Sequence, residues 1–139
     1  MIAMSAEGSA STRFIVIEDD PDHQKIAEMV LNSAGVEDIT FFGTGEEAIS
    51  HFQKTLPTHS TARPVLLIDL LLPNIGGLEI LQHLKSDARW QSATLVVLSC
   101  STSAADRLRS REYGADAFLS KPLRRENVTE ILSAAASSQ

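Results

Sequence analysis

The chain carries one cysteine, Cys100, in 139 residues, which excludes an internal disulfide framework and fits a reducing cytoplasm. No apolar run approaches the ~20 residues that a membrane-spanning helix needs. Positive charge is in the minority: 12 Lys and Arg face 18 Asp and Glu, a net charge of −6. That balance argues against direct binding of a nucleic-acid backbone. No glycine-rich loop follows the first apolar run, which argues against a P-loop or a dinucleotide-binding fold. His23, His51, His59 and His83 show no metal-ligand spacing and read as surface residues. The start of the chain lacks the cationic and apolar regions of a secretory signal. Its Ser, Ala and Gly content reads as a disordered extension over residues 1–12, with Met4 an alternative start.

What is present is ordinary for one globular domain, placed over residues 13–139: 43% hydrophobic and 22% charged residues. The most apolar stretch runs from Val65 to Pro73 and is interrupted only by Asp69. Its branched residues suit a strand buried on both faces of a parallel sheet. Phe14–Ile17, Ile39–Phe42, Thr94–Ser99 and Ala117–Ser120 read as four more strands. Helical patterns separate them. Ile26, Met29, Val30 and Ser33 share one face of the first, with Gly35 ending it. Ala48, Ile49 and Phe52 mark the second, and Leu78, Leu81 and Leu84 the third, with Trp90 packing near its end. Ala104 to Tyr113 forms a weakly apolar fourth, capped by Ser103. Val128, Ile131, Leu132 and Ala135 mark the fifth. Thr55 to Pro64 reads as a loop. Five alternations of strand and helix predict an α/β, doubly wound, five-stranded parallel sheet with five helices.

The polar residues stand where the apolar strands stop. Glu18 and Asp19 end the first, Asp69 the third, Ser99 the fourth and Lys121 the fifth. In a parallel sheet these ends share one edge, where ligands bind in open α/β folds. Each residue also has a plain reading. Asp69 can cap a turn, Glu18 can favour a helix start, Asp20 belongs to that start, and Ser99 and Lys121 can be solvated. Three converging carboxylates repel one another, and a hard divalent cation with oxygen ligands relieves that repulsion. A hydroxyl and an ammonium beside them complete a site able to hold a phosphoryl group.

The segments Ile17-Glu18-Asp19-Asp20, Leu67 to Pro73, Val96 to Ser99 and Lys121-Pro122 resemble, in order and spacing, a response regulator receiver domain of two-component signalling. The resemblance runs from Arg13 to Ala136. It implies a flavodoxin-like receiver fold with strand order 2-1-3-4-5. It implies Asp69 as acceptor of a phosphoryl group from a sensor histidine kinase or phosphotransfer protein. Mg²⁺ would be held by Asp19, Asp69, the Leu71 backbone carbonyl and, through water, Glu18. Ser99 and Lys121 would meet phosphoryl oxygens, and Ser99 and Phe118 would carry the switch. The Lys121–Pro122 bond would be cis. Output would leave through the fourth helix, fifth strand and fifth helix, with Arg107, Arg111, Arg124 and Arg125. The loop before the third strand and the Leu-rich segment around Asp69 are similar to stand-alone receivers that partner bacterial phytochromes. A homodimer is compatible with the family. The expected protein is a bacterial, cytoplasmic switch with no catalytic turnover beyond its own phosphorylation and dephosphorylation, and no membrane contact.

Two departures stand out. Gly76–Gly77 replaces the acidic residue that many receivers have before the glycine. The Leu71 side chain, expected beside the site, would slow an attacking water. Two rivals remain at this level: an adaptor that works without phosphorylation, and an aspartyl-phosphate phosphatase. The second usually has an aspartate two residues past the nucleophile, where this chain has Leu71.

Overall fold

The computed structural model describes residues 12–54, 64–101 and 103–137. The N-terminal extension up to residue 11, the loop over residues 55–63 with His59, and the side chain of Ala135 lie outside the described residues.

Five strands form one parallel sheet: β1 (Phe14–Ile17), β2 (Ile39–Phe42), β3 (Val65–Asp69), β4 (Thr94–Ser99) and β5 (Ala117–Ser120), in the order β2-β1-β3-β4-β5. The helices are α1 (Pro21–Ser33), α2 (Gly45–Lys54), α3 (Gly77–Lys85), α4 (Ala104–Glu112) and α5 (Arg125–Ser137). A 3₁₀ turn, Ala88–Trp90, follows α3. This is the expected doubly wound fold. β-Branched and leucine side chains alternate across the three central strands. Ile15, Ile17, Leu66, Ile68, Leu95 and Val97 face one layer, with Phe52, Leu81 and Trp90. Phe14, Val16, Val65, Leu67, Val96 and Leu98 face the other, with Ala27, Leu31, Leu123 and Val128. Both faces are covered, so polar residues are confined to the strand ends.

Local chemistry sets the helix boundaries. Asp20 caps α1, accepting the amides of Asp22 at 2.8 Å and His23 at 3.4 Å, and Pro21 opens it. Those donated bonds, the Asp22 amide foremost, hold the Asp20 carboxyl below its usual range. Gly35 ends α1 at φ +90°, a conformation that a side chain would strain.

The buried face of α1 differs from the expectation. Ala27 and Leu31 are buried and Val30 packs half-buried against the same core, whereas Ile26 is 39% and Met29 68% exposed. Two apolar stripes overlap on this helix about one residue apart, and the one carrying Ala27 and Leu31 joins the core under the sheet. Trp90 is buried against Phe52 at 4.9 Å between ring centres, on the 3₁₀ turn rather than on α3. His51 is not a surface residue. It lies half-buried between Phe42 and Phe52, and that burial pushes its imidazole down from the usual value.

Candidate functional site

The carboxyl edge of the sheet gathers the strand-end residues. β1 and β3 pair with Ile17 opposite Ile68, which sets Glu18 and Asp69 one step beyond on adjacent strands. β4 pairs with β3 through Asp69 and Leu98, so Ser99 lies one residue further along. Oxygens of Glu18, Asp19 and Asp69 all lie within 4.8 Å of one another. Glu18 and Asp69 are buried and Asp19 is exposed.

Lys121 follows β5 and joins the cluster across a cis peptide to Pro122. Its Nζ donates to Glu18 Oε1 and, at 3.2 Å, to Asp69 Oδ2. Its side chain is only 9% exposed. Glu18 also accepts the Asp20 amide at 3.0 Å through Oε2. Burial pushes the Glu18 carboxyl up, and the charge of Asp69 adds to that, against the bonds donated by Lys121 and Asp20. Burial would push the Lys121 ammonium down, but the bond to Glu18 and the charge of Asp69 outweigh it, and its pKa rises. The lysine therefore stays charged. One ammonium among three carboxylates leaves two negative charges, the amount a divalent cation neutralises. An exposed Asp19 leaves that cation room for the waters Mg²⁺ usually keeps.

Asp69 Oδ1 accepts the Leu71 amide at 3.1 Å, which orients the carboxylate at the start of its loop. Leu70 and Leu72 are buried on either side, while Leu71 is 66% exposed, so its side chain faces solvent rather than the core. Ser99 is fully buried, and its Oγ accepts the Ser101 amide at 3.1 Å. Phe118, on β5, is half-buried with the Arg107 guanidinium 5.0 Å above its ring.

Two further residues border the acidic cluster. Cys100 is exposed, and it lines a cavity of about 180 Å³ with Glu18, Asp69, Lys121 and Pro122. Strand β4 ends at Ser99, so the next side chain turns out of the core. His23, expected on the surface, borders the same cavity with Nδ1 2.9 Å from Lys121 Nζ. A lone histidine has no signature in sequence. The usable signal was its place in the first turn of α1, directly after the acidic pair.

A parallel sheet in this order, with an acidic cluster and a lysine at its carboxyl edge, defines a receiver-type signalling domain. The family model for the response regulator receiver domain matches residues 14–133, and the chain belongs to that family. The response regulator Rre1 of Synechocystis is 28% identical over 118 residues, 85% of this chain and 48% of Rre1. The chain spans about half the length of the first curated relatives it matches. The bacteriophytochrome response regulator AtBRR superposes with a TM-score of 0.73 at 26% identity, covering 89% of this chain and 91% of that one. The receiver domain of the sensor histidine kinase PA1611 from Pseudomonas aeruginosa, with magnesium in its active-site cleft, gives a TM-score of 0.73 at 22% identity. That match covers 91% of this chain and 99% of the other. Among the described residues no helix is long and apolar enough to cross a membrane.

Proposed function

We propose that the protein is a phosphorylation-dependent switch in which Asp69 accepts a phosphoryl group from a phosphohistidine on a sensor kinase or phosphotransfer protein. The observation that carries this reading is the convergence of Glu18, Asp19 and Asp69 within 4.8 Å, with Lys121 bonded to two of them. An oxygen of Asp69 attacks phosphorus in line. The new O–P bond forms as the P–N bond breaks, and the imidazole leaves with the electron pair. Asp19 and Asp69, the Leu71 carbonyl and, through water, Glu18 would hold Mg²⁺. Bound there, the cation neutralises the excess negative charge and polarises the phosphoryl oxygens. Magnesium in the cleft of the PA1611 receiver supports that choice of metal. Lys121 pairs with one phosphoryl oxygen, and the Ser99 hydroxyl donates to another.

The acyl phosphate draws Ser99 and Lys121 towards it. That pull acts on α4, where Ser110 is the one residue buried, and on Phe118 beside it. Output leaves through α4, β5 and α5, where Arg107, Arg111, Arg124 and Arg125 are exposed. Likeness to AtBRR supports a phytochrome-linked kinase as donor. The protein is read as a cytoplasmic bacterial switch rather than an enzyme with an external substrate. The net charge of −6 weighs against direct nucleic-acid contact.

Incubation with acetyl phosphate and Mg²⁺, followed by intact mass, tests the reading. Wild type gains one phosphoryl group, and Asp69→Asn or omission of the metal abolishes the gain. A wild type that stays unmodified with acetyl phosphate and with candidate kinases would move the function to an adaptor. Such an adaptor binds its partners equally well as Asp69→Asn.

A further inference from the structure

We infer that His23 is a positioning residue for Lys121, holding the ammonium off the acceptor carboxylate. The inference rests on the reading above, that Asp69 takes a phosphoryl group. An ammonium has three donors and no acceptor, so the 2.9 Å contact requires the lone pair on His23 Nδ1. The ring proton then sits on Nε2, which faces Asp20 Oδ2 at 3.8 Å. The His23 amide donates to Asp20 Oδ1 at 3.4 Å, so the aspartate beside the ring also holds the backbone of this residue.

With Glu18, His23 and Asp69 as acceptors, the three N–H bonds of Lys121 are all used. The bond to Asp69, at 3.2 Å, is the longest of the three. His23 is also the one partner that is not a carboxylate. It pulls the ammonium away from Asp69 without adding to the negative charge of the cluster. Removing it leaves a donor unsatisfied on a side chain only 9% exposed. The ammonium then closes on Asp69, the nearest acceptor with capacity to spare. A tighter Lys121–Asp69 pair stabilises the free carboxylate and makes it a weaker nucleophile. His23 thus keeps Asp69 reactive.

His23→Leu removes the acceptor and His23→Asn replaces it, because the amide oxygen of Asn can sit near the place of Nδ1. The side chain of His23 is 37% exposed, which makes both changes tolerable to the fold. At saturating acetyl phosphate and Mg²⁺, His23→Leu is expected to take up the phosphoryl group about five-fold more slowly, equivalent to about 1 kcal/mol in the barrier. His23→Asn recovers most of that rate, and Mg²⁺ affinity by calorimetry stays within about two-fold in both. Nitrogen-15 NMR of the wild type should show His23 Nδ1 as an unprotonated acceptor whose signal moves in Lys121→Met. A wild-type rate in His23→Leu, or equal slowing in both variants, would overturn the inference. If the wild type takes up no phosphoryl group, the functional reading fails first. The NMR signal then decides by itself whether His23 accepts from Lys121, and a protonated Nδ1 rejects it.

Discussion

The Oγ of Ser99 accepts the backbone amide of Ser101 at 3.1 Å. Ser101 Oγ in turn donates to Asp106 Oδ2 at 2.6 Å and accepts the Ser103 amide at 3.2 Å. Ser103 Oγ accepts the Asp106 amide at 3.3 Å and caps α4. Hydroxyls therefore link the end of β4 to the first turn of α4. Ser99→Ala removes the first link and leaves a part-buried amide without its partner. The expected loss is about 1 kcal/mol in urea unfolding. Hydrogen exchange should quicken at the amides of Ser101, Ser103 and Asp106 and stay unchanged in β3. Uniform acceleration across the sheet would mean that no such link exists.

Arg107 lies over the ring of Phe118 and ties α4 to β5. At a partly exposed site this contact is worth about 0.5–1 kcal/mol. Arg107→Gln should lose that much stability in the wild type and almost none in a Phe118→Leu background. The same loss in both backgrounds would show that Arg107 acts elsewhere. If the contact holds the resting position of Phe118, Arg107→Gln should also speed the aromatic ring's exchange in NMR spectra.

Asp87 and Arg89 supply a pH-dependent contact far from the acidic cluster. Asp87 caps the 3₁₀ turn and pairs with Arg89 at 2.7 Å, and Arg89 reaches the Phe52 carbonyl at the end of α2 at 3.0 Å. The Arg89 guanidinium and backbone amide hold the Asp87 carboxyl down to about 2 from its ordinary 3.8. A depressed carboxyl contributes stability above its unfolded value and loses it as pH falls through the folded one. The stability gap between wild type and Asp87→Asn should be constant at neutral pH and shrink between 3.8 and about 2. A gap that persists at the acid end would assign Asp87 a role independent of its charge.

Much of the fold was legible because the strands are unbroken branched or apolar runs and the turns carry Pro, Gly or Asx residues. The acidic cluster was legible for the same reason: in a parallel sheet, adjacency of strand ends follows from topology. The placement of α1 was not. Ile26 and Met29 outweigh Ala27 in hydrophobicity, yet it is Ala27 and Leu31 that join the core cluster with Val16 and Leu67. His23 escaped because its partner, Lys121, lies 98 residues away. Leu31→Ala should cost about 2–5 kcal/mol and Met29→Ala less than about 0.5 kcal/mol. Comparable losses from the two in urea unfolding would restore the stripe read from the sequence.

Gly77 opens α3 against the backbone that carries Asp69. A Cβ at Gly77 would lie 2.6 Å from the Asp69 carbonyl oxygen and 2.8 Å from the Leu70 Cα. Its amide donates to the Leu70 carbonyl at 3.1 Å, so the helix start and the acceptor loop hold each other in place. Alanine normally favours a helix over glycine by about 1 kcal/mol. Here the backbone must move instead, at a cost of about 1–3 kcal/mol typical of overpacking. Because the displaced atoms belong to Asp69 and its neighbour, Gly77→Ala should also slow phosphoryl uptake from acetyl phosphate. Gly76 is the internal control, since a Cβ there would meet nothing closer than the Leu70 carbonyl at 3.7 Å. Gly76→Ala should keep wild-type stability and rate. Equal tolerance of both substitutions would show that the loop yields, and that the glycine pair has no part in placing the acceptor.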